Sequence, residues 1–319
     1  MPNRRTLLGA AALAALPSAW AQSDFPKYPV RLIVPLQAGG IADVSTRAVA
    51  LELERRLGKP VVVDNRPGGQ FLVALQALQG APADGHTLLY FNSNFGAVQV
   101  VSKLYDQNKA FAPVTAFTEV PFMLVVSGKS PFNSIAELID YGRKNPGKLN
   151  YSMPGVGSLE HIKNEQLAKV AGFTATAIAY KNGGPDMIRA VIADETQYTI
   201  LPTFLAMQFA PKGLVRPLLA VDSVRDRDFP NVPTLVDAGV KTNPLRIWGG
   251  FAVHVDTPAP LVQRLYQSIG ATVQTPALVE KLTSMGSVVI APKTPDEVRA
   301  LMASDLVWMS EAVQGLKLQ

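Results

Sequence analysis

The chain has 319 residues, no cysteine, three histidines and a formal net charge of +5 at pH 7. The absence of cysteine excludes disulfides, thiolate metal ligands and catalytic thiols. Lysine and arginine are scattered along the chain and form no dense stripe, which argues against nucleic acid as a partner. At roughly 150 residues per domain, the length predicts two lobes.

The first 21 residues have the pattern of a signal peptide. Arg4 and Arg5 precede an apolar run from Leu7 to Leu16, and a small-x-small cleavage pattern ends at Ala21. The run is shorter than the about 20 residues that a transmembrane helix needs. We therefore expect export to the periplasm without a lipid anchor, since no cysteine follows the signal. The paired arginines fit twin-arginine export and ordinary secretion equally well.

From residue 30 onward, short β-branched segments alternate with helical segments and glycine turns, a pattern typical of βαβ units with parallel strands. The first predicted strands cover 30–34, 61–63 and 88–91, and the helices between them cover 44–57 and 72–78. Asp43 lies where the N-cap of the first helix is expected.

The same pattern restarts after residue 120. Strands are predicted at 123–126, 149–152, 175–180, 198–201 and 215–221, and helices at 135–142, 159–170 and 186–193. A late strand at 249–255 returns the chain to the first lobe, and 260–319 are mostly helical. The fold class is therefore α/β, with residues 24–122 and about 252–319 in lobe 1 and about 123–251 in lobe 2.

Motifs that would support catalysis are missing from the sequence. His86, His161 and His254 are too far apart for a helical zinc pair, and the chain has neither a Gly-x-Ser-x-Gly elbow nor a phosphate loop. We interpret the histidines as structural, although His161 lies one turn into a helix that could face a cleft. No cofactor and no metal are expected, and a cofactor-free hydrolase remains an alternative.

Two glycine loops join a predicted strand to a helix, Ala38–Gly40 in the first lobe and Gly155–Ser158 in the second. A helix N-terminus offers unpaired N–H donors and about half a positive charge, so it can hold a carboxylate without lysine or arginine. The glycines allow close approach to the backbone, and Ser158 adds a hydroxyl. One such loop would be read as an ordinary turn, whereas one in each lobe favours an anion-binding cleft.

Several ordered motifs resemble the Bug family, the extracytoplasmic solute receptors of tripartite tricarboxylate transporters. They span nearly all of the chain beyond the signal, and their joint order is specific although each is modest alone. The motifs are Val34-Pro35 with Ala38-Gly39-Gly40, Asp43 and Arg47; Asn65-Arg66-Pro67-Gly68; Asp84-Gly85-His86; Gly155-Val156-Gly157-Ser158-Leu159-Glu160-His161; and Trp248-Gly249-Gly250.

The resemblance implies a two-lobed periplasmic binding protein of the type II-like class, with a ligand cleft between the lobes. It implies capture of a small organic carboxylate, delivery to the membrane subunits of a transporter, and no chemistry on the ligand. We expect a monomer. The residues that the resemblance and the loops indicate for binding are Leu36, Gln37, Ala38, Gly39, Gly40, Asp43, Gln70, Ser93, Met153, Gly155, Gly157, Ser158, His161 and Leu201.

The chain departs from the family pattern inside these loops. Leu36-Gln37 stand where the family usually has Phe-Pro, Met153 replaces a small hydroxyl residue, and Gln70-Phe71 replace glycines. Met153 exchanges a hydrogen-bond donor for soft apolar surface. We therefore expect a ligand less polar than citrate, such as an aromatic or branched monocarboxylate. A further alternative is a periplasmic sensor that signals to a membrane kinase instead of feeding a transporter.

Overall fold

The computed structural model describes residues 25–180 and 182–316. The predicted signal peptide, residues 1–21, lies outside the described residues. No helix in the described part of the chain combines the length and apolar character that crossing a membrane requires.

The first part of the chain forms parallel strands separated by helices. Its strands are β1 (Val30–Val34), β2 (Val61–Asn65) and β3 (Thr87–Asn92), and its helices are α1 (Ile41–Leu57), α2 (Leu72–Gln79), α3 (Asn94–Ser102) and α4 (Gln107–Ala110). A 3-10 turn, Gly69–Phe71, leads into α2. The predicted strands and the first two helices are confirmed, and α3 is an element that the sequence pattern did not indicate.

The middle of the chain repeats this alternation. Its strands are β4 (Ala112–Ser127), β5 (Leu149–Met153), β6 (Ala175–Ala179), β7 (Tyr198–Pro202) and β8 (Val215–Ala220), and its helices are α5 (Ile135–Lys144), α6 (Leu159–Ala171), α7 (Gly184–Ile192) and α8 (Thr203–Phe209). The C-terminal part contributes β9 (Arg246–Val253), α9 (Ala259–Val273), α10 (Pro276–Ser284), β10 (Val288–Val289) and α11 (Pro295–Ala312).

The strands are hydrogen-bonded in the order β2-β1-β3-β9-β4-β7-β5-β6. β1 lies between parallel neighbours β2 and β3, and β5 lies between parallel neighbours β6 and β7. The two halves thus have the same local arrangement. In each half, the loop that follows the central strand, β1 or β5, leaves between the carboxyl ends of two other strands.

β4 joins the two halves because it takes part in both. Its first part, Ala112 to Pro121, pairs with β9, and its last part, Phe122 to Ser127, pairs with β7 and β8. β9 pairs with β4 from its start at Arg246 and with β3 from Gly249. The division into lobes at about residues 122 and 252 stays a prediction, and this pairing favours placing all of β9 with lobe 1.

The first half is buried on both faces of its sheet, as continuous apolar strands predict. Leu32 and Leu88 pack in one core against α1 and α9, whereas their neighbours Ile33 and Leu89 pack in a second core against α2 and α11. The second half has its own principal core around Tyr151.

Helix α11 packs against both halves. Val298 and Met302 belong to a core of the first half, and Met309 belongs to the core of the second. Between them, the Asp305 carboxylate accepts hydrogen bonds from the indole Nε1 of Trp248 at 2.7 Å and of Trp308 at 2.9 Å. Burial raises the pKa of Asp305 above its usual value. Helix α11 therefore stabilises the junction between the two halves through its hydrogen bond to Trp248 of β9.

Candidate functional site

The loops that could hold a ligand lie at the carboxyl ends of the parallel strands, which is where open α/β sheets bind ligands. A direct contact joins the halves there, since the Asn94 side-chain oxygen accepts a hydrogen bond from the backbone N–H of Leu159 at 3.2 Å. A side chain at Gly157 would meet Val101 of α3 at 3.0 Å. The start of α3 and the loop before α6 are thus neighbours across the junction.

The first candidate loop, Leu36–Gly40, leads directly into α1. Gly40 is the N-cap of this helix and has an ordinary extended conformation, with φ −76° and ψ 167°. Within the described residues, the backbone N–H groups of Gly40, Ile41 and Ala42 donate to no acceptor. Leu36 is half-buried and residues 37–40 are exposed. The helix N-terminus therefore presents free donors beside an exposed loop.

Asp43 has a different role from the N-cap predicted for it, because α1 begins at Ile41, three residues earlier than predicted. Its buried carboxylate accepts from the Gly39 N–H at 2.9 Å and from Arg47 Nε at 3.1 Å. Arg47 also donates to Asn65, whose amide donates to the Leu36 carbonyl. This network fixes the shape of the loop. Burial alone would raise the pKa of Asp43, but the bonds from Arg47 and Gly39 hold it below its usual value.

The second candidate loop, Pro154–Ser158, is shaped by the first turn of α6. The Ser158 hydroxyl accepts from the His161 N–H at 3.2 Å, and His161 Nδ1 accepts from the Gly157 N–H at 3.2 Å. Burial lowers the pKa of His161, which favours the neutral ring that can accept this bond. His161 therefore positions the loop. The N–H groups of Gly155 and Val156 donate to no acceptor in the described part of the chain.

The loop after β2 has an unusual backbone. Gly68, Gly69, Gln70 and Phe71 all have positive φ, with values of 114°, 58°, 51° and 75°. For residues other than glycine this conformation costs roughly 1–2 kcal/mol each. Gln70 is exposed, whereas Phe71 is half-buried and stacks on Phe95, with ring centroids 4.3 Å apart and planes inclined by 13°.

The loop after β3 contributes Ser93, which is 3 % exposed. Its hydroxyl has no hydrogen-bond partner among the described residues. A buried hydroxyl without a partner is costly, so this oxygen is available to a polar group at the same edge. Its neighbour Asn94, which contacts the second loop, was not predicted as a site residue. The polar run Asn92-Ser93-Asn94 at a strand end was the signal that could have identified it.

Two predicted site residues turn their side chains away from this edge. Met153 is 2 % exposed and packs in the core of the second half with Tyr151, and Leu201 is 0 % exposed and packs with Met123 on the opposite face. Strand alternation explains this, because Tyr151 and Met153 are two residues apart and share a face. Neither side chain offers surface to a ligand, so Met153 gives no support to the expectation of a less polar ligand.

The first turns of α6 bury two ionisable side chains. The Glu160 carboxyl is almost fully buried, and desolvation raises its pKa to about 7. Desolvation lowers the pKa of Lys163 to about 7, and its Nζ donates to the Asn243 carbonyl at 2.5 Å and to Gln166 Oε1 at 2.7 Å.

These shifts predict a minimum in stability near pH 7. From about pH 4.5 to 7 the folded state keeps the Glu160 proton that the unfolded state releases, so stability falls as pH rises. From about pH 7 to 10.5 the unfolded state keeps the Lys163 proton that the folded state releases, so stability rises. The fall and the rise in the free energy of unfolding should each amount to on the order of 1 kcal/mol or more.

Urea denaturation at pH 5, 7 and 9 measures this dependence. Glu160→Gln should remove the fall between pH 5 and 7 and leave the rise, whereas Lys163→Met should remove the rise and leave the fall. If the free energy of unfolding depends on pH in the same way in both variants and in the unaltered protein, the assignment of the fall to Glu160 and of the rise to Lys163 is wrong.

No group of three or more metal-ligating side chains occurs among residues 25–180 and 182–316. The chemistry of the edge is instead that of backbone donors, the hydroxyls of Ser93 and Ser158, and apolar surface. Such a set can hold an anion.

Comparisons with known proteins agree with this arrangement. Residues 45–313 match the family described as tripartite tricarboxylate transporter family receptor. A UPF0065 protein of Bordetella pertussis is 31 % identical over 298 residues, covering 92 % of this chain and 91 % of its own length. Protein BugT of the same organism is 29 % identical over 302 residues, with coverages of 92 % and 91 %.

Solved structures share the whole fold. The periplasmic binding protein BugD superimposes with a TM-score of 0.81 at 25 % identity, covering 92 % of this chain and 99 % of its own. Rpa4515 of R. palustris, solved with adipate, gives 0.82 at 26 % identity, with coverages of 91 % and 98 %. The fold is therefore that of a two-lobed periplasmic solute-binding protein, and the chain belongs to the Bug family of tripartite tricarboxylate transporter receptors.

Proposed function

We propose that this protein captures a small organic carboxylate in the periplasm and passes it unchanged to the membrane subunits of a tripartite transporter. The ligand would lie between the two candidate loops, with one carboxylate at the N-terminus of α1 and the loop before α6. The observation that carries the proposal is the set of free N–H donors at Gly40, Ile41, Gly155 and Val156, on two loops that leave equivalent central strands.

The charge around the loops supports an anionic ligand. Asp43, the acidic residue in the first turn of α1, is paired with Arg47 and the Gly39 N–H. Burial favours the neutral form of Glu160 in the first turn of α6. Pairing of Asp43 with Arg47 and burial of Glu160 both leave more of the partial positive charge of these helix ends for the ligand. Adipate, bound in the Rpa4515 structure, is a dicarboxylate of the proposed class.

Closure of the two lobes would trap the ligand, with bending where β4 and β9 pass between the halves. The N-terminal residues 1–21 would direct export and be removed, leaving a freely diffusing monomer. The site residues that we retain for contact with ligand are those with accessible surface, namely Leu36, Gln37, Ala38, Gly39, Gly40, Gln70, Gly155 and Ser158, together with Ser93 for its unpaired hydroxyl. Gly157 is buried and donates its N–H to His161, so we assign it to the shape of the loop.

Recovery of the ligand tests binding without chemistry. The mature protein is incubated with adipate and other carboxylic acids, affinity is measured calorimetrically, and each acid is then analysed by mass spectrometry. Saturable binding with the acid recovered intact is expected. Conversion of an acid during incubation would contradict the receptor function, and uptake by the transporter subunits reconstituted in vesicles would test delivery.

A further inference from the structure

Phe71 occupies a position at which the topology brings three loops together. It follows β2, and Phe95, on which it stacks at 4.3 Å, follows β3. β1 lies between these two strands, so the stacked pair reaches across the carboxyl end of β1. That is where Leu36–Gly40 leads into α1, the first candidate loop. The Phe71 ring and the first candidate loop thus follow strands that end at the same edge of the sheet.

The backbone at Phe71 is one that its side chain disfavours. With φ 75° it lies in the left-handed region, and it follows three other residues with positive φ. Glycine would adopt this conformation without strain. Strained residues persist where the surrounding structure holds them and cluster at ligand sites. The path of the backbone therefore does not explain why a bulky aromatic residue, and not glycine, stands at this position.

The hydrophobic core covers only part of the Phe71 side chain. Phe95 is 1 % exposed and has further aromatic neighbours, whereas Phe71 remains half-buried. One face of the Phe71 ring is covered by Phe95, and part of the side chain remains accessible. It is therefore placed to offer flat apolar surface to a bound molecule.

We infer that Phe71 determines specificity, and that it favours a carboxylate with a flat aromatic body over an aliphatic acid of similar size. This inference rests on the function proposed above, since it concerns the same ligand. Helix N-termini would hold the carboxylate, and the ring would stack against the body of the ligand, a geometry that aromatic pairs favour. Exposed Gln70 stands next to it and could meet a polar substituent.

The experiment compares benzoate, cyclohexanecarboxylate and adipate by calorimetry. Benzoate and cyclohexanecarboxylate have the same number of carbon atoms and one carboxylate, but only benzoate is flat. The variant is Phe71→Gly, which suits the left-handed backbone and so should fold. Val73→Ala, on the exposed face of α2, is the matched control.

We expect benzoate to bind about 10-fold more tightly than cyclohexanecarboxylate, and Phe71→Gly to remove that preference while changing adipate affinity by less than about 3-fold. Equal weakening of every acid would mean that Phe71 only supports the loop and would overturn the inference, as would benzoate binding no better than cyclohexanecarboxylate. Binding of adipate without any aromatic preference would leave the proposed receptor function standing. Failure of every carboxylate to bind would overturn both.

Discussion

Gly250→Ala is expected to destabilise the protein by about 3 kcal/mol, near the upper end for overpacked sites. A Cβ atom at Gly250 would lie 1.9 Å from the Thr115 carbonyl oxygen and 2.7 Å from the Cα of Ala116. These are backbone atoms of the paired strand β4, so no side-chain rotation can relieve the clash. The strand that joins both halves would have to move. Chemical denaturation of the purified variant measures the loss.

Gly270→Ala is the matched control for this substitution. Gly270 lies inside α9, and its Cβ would meet Pro292 at 3.5 Å, an ordinary contact. Alanine in a helix interior should be neutral or stabilise by up to about 1 kcal/mol. Equal stability changes in the two variants would contradict the close pairing of β4 with β9.

Gly40→Val is expected to abolish carboxylate binding while leaving the fold intact. Gly40 has a φ that valine can adopt, and a Cβ there would meet only the Gln37 carbonyl, at 3.6 Å. The branched side chain would extend into the open space before the free N–H groups of α1. Loss of hydrogen bonds to a charged ligand, at about 1.5–3 kcal/mol each, should weaken affinity roughly 100-fold or more.

Calorimetric titration and chemical denaturation of the same variant separate these two effects. Leu51→Ala, further along α1 and exposed, should bind as the unaltered protein does. Unchanged affinity in Gly40→Val would remove the first loop from the site, whereas gross unfolding would show that Gly40 has a structural role.

The alternation of strands and helices was predictable because both halves use short buried strands and glycine turns. The early part of β4 was missed, since Pro113 and the polar residues Thr115, Thr118 and Glu119 interrupt its apolar pattern. These residues pair with β9 at the junction between the two halves. Side chains there contact polar groups as well as the hydrophobic cores. Arg246, for example, forms ion pairs with Glu119 and Asp222.

The candidate site was predictable where it depends on local backbone. Glycine turns before helices indicated both loops, and the free donors of Gly40 and Gly155 lie there. Side-chain direction was not predictable from the same pattern. Met153 was placed near the ligand by its place in the family pattern, but the direction of its side chain depends on how β5 is set within its sheet, where Ser152 and Met153 are both buried. The left-handed conformation of Phe71 likewise depends on the path between β2 and α2.

The most direct test of the account is thermal unfolding of the mature protein, first unfolded and refolded to remove any copurified ligand, against a panel of carboxylic acids. An acid at about 100 times its Kd adds roughly 2.7 kcal/mol and should raise the midpoint by about 4 °C. We predict that at least one carboxylate does so, and that Gly40→Val loses the response. A flat response across the panel, or equal stabilisation of Gly40→Val, would contradict a carboxylate receptor built on these two helix ends.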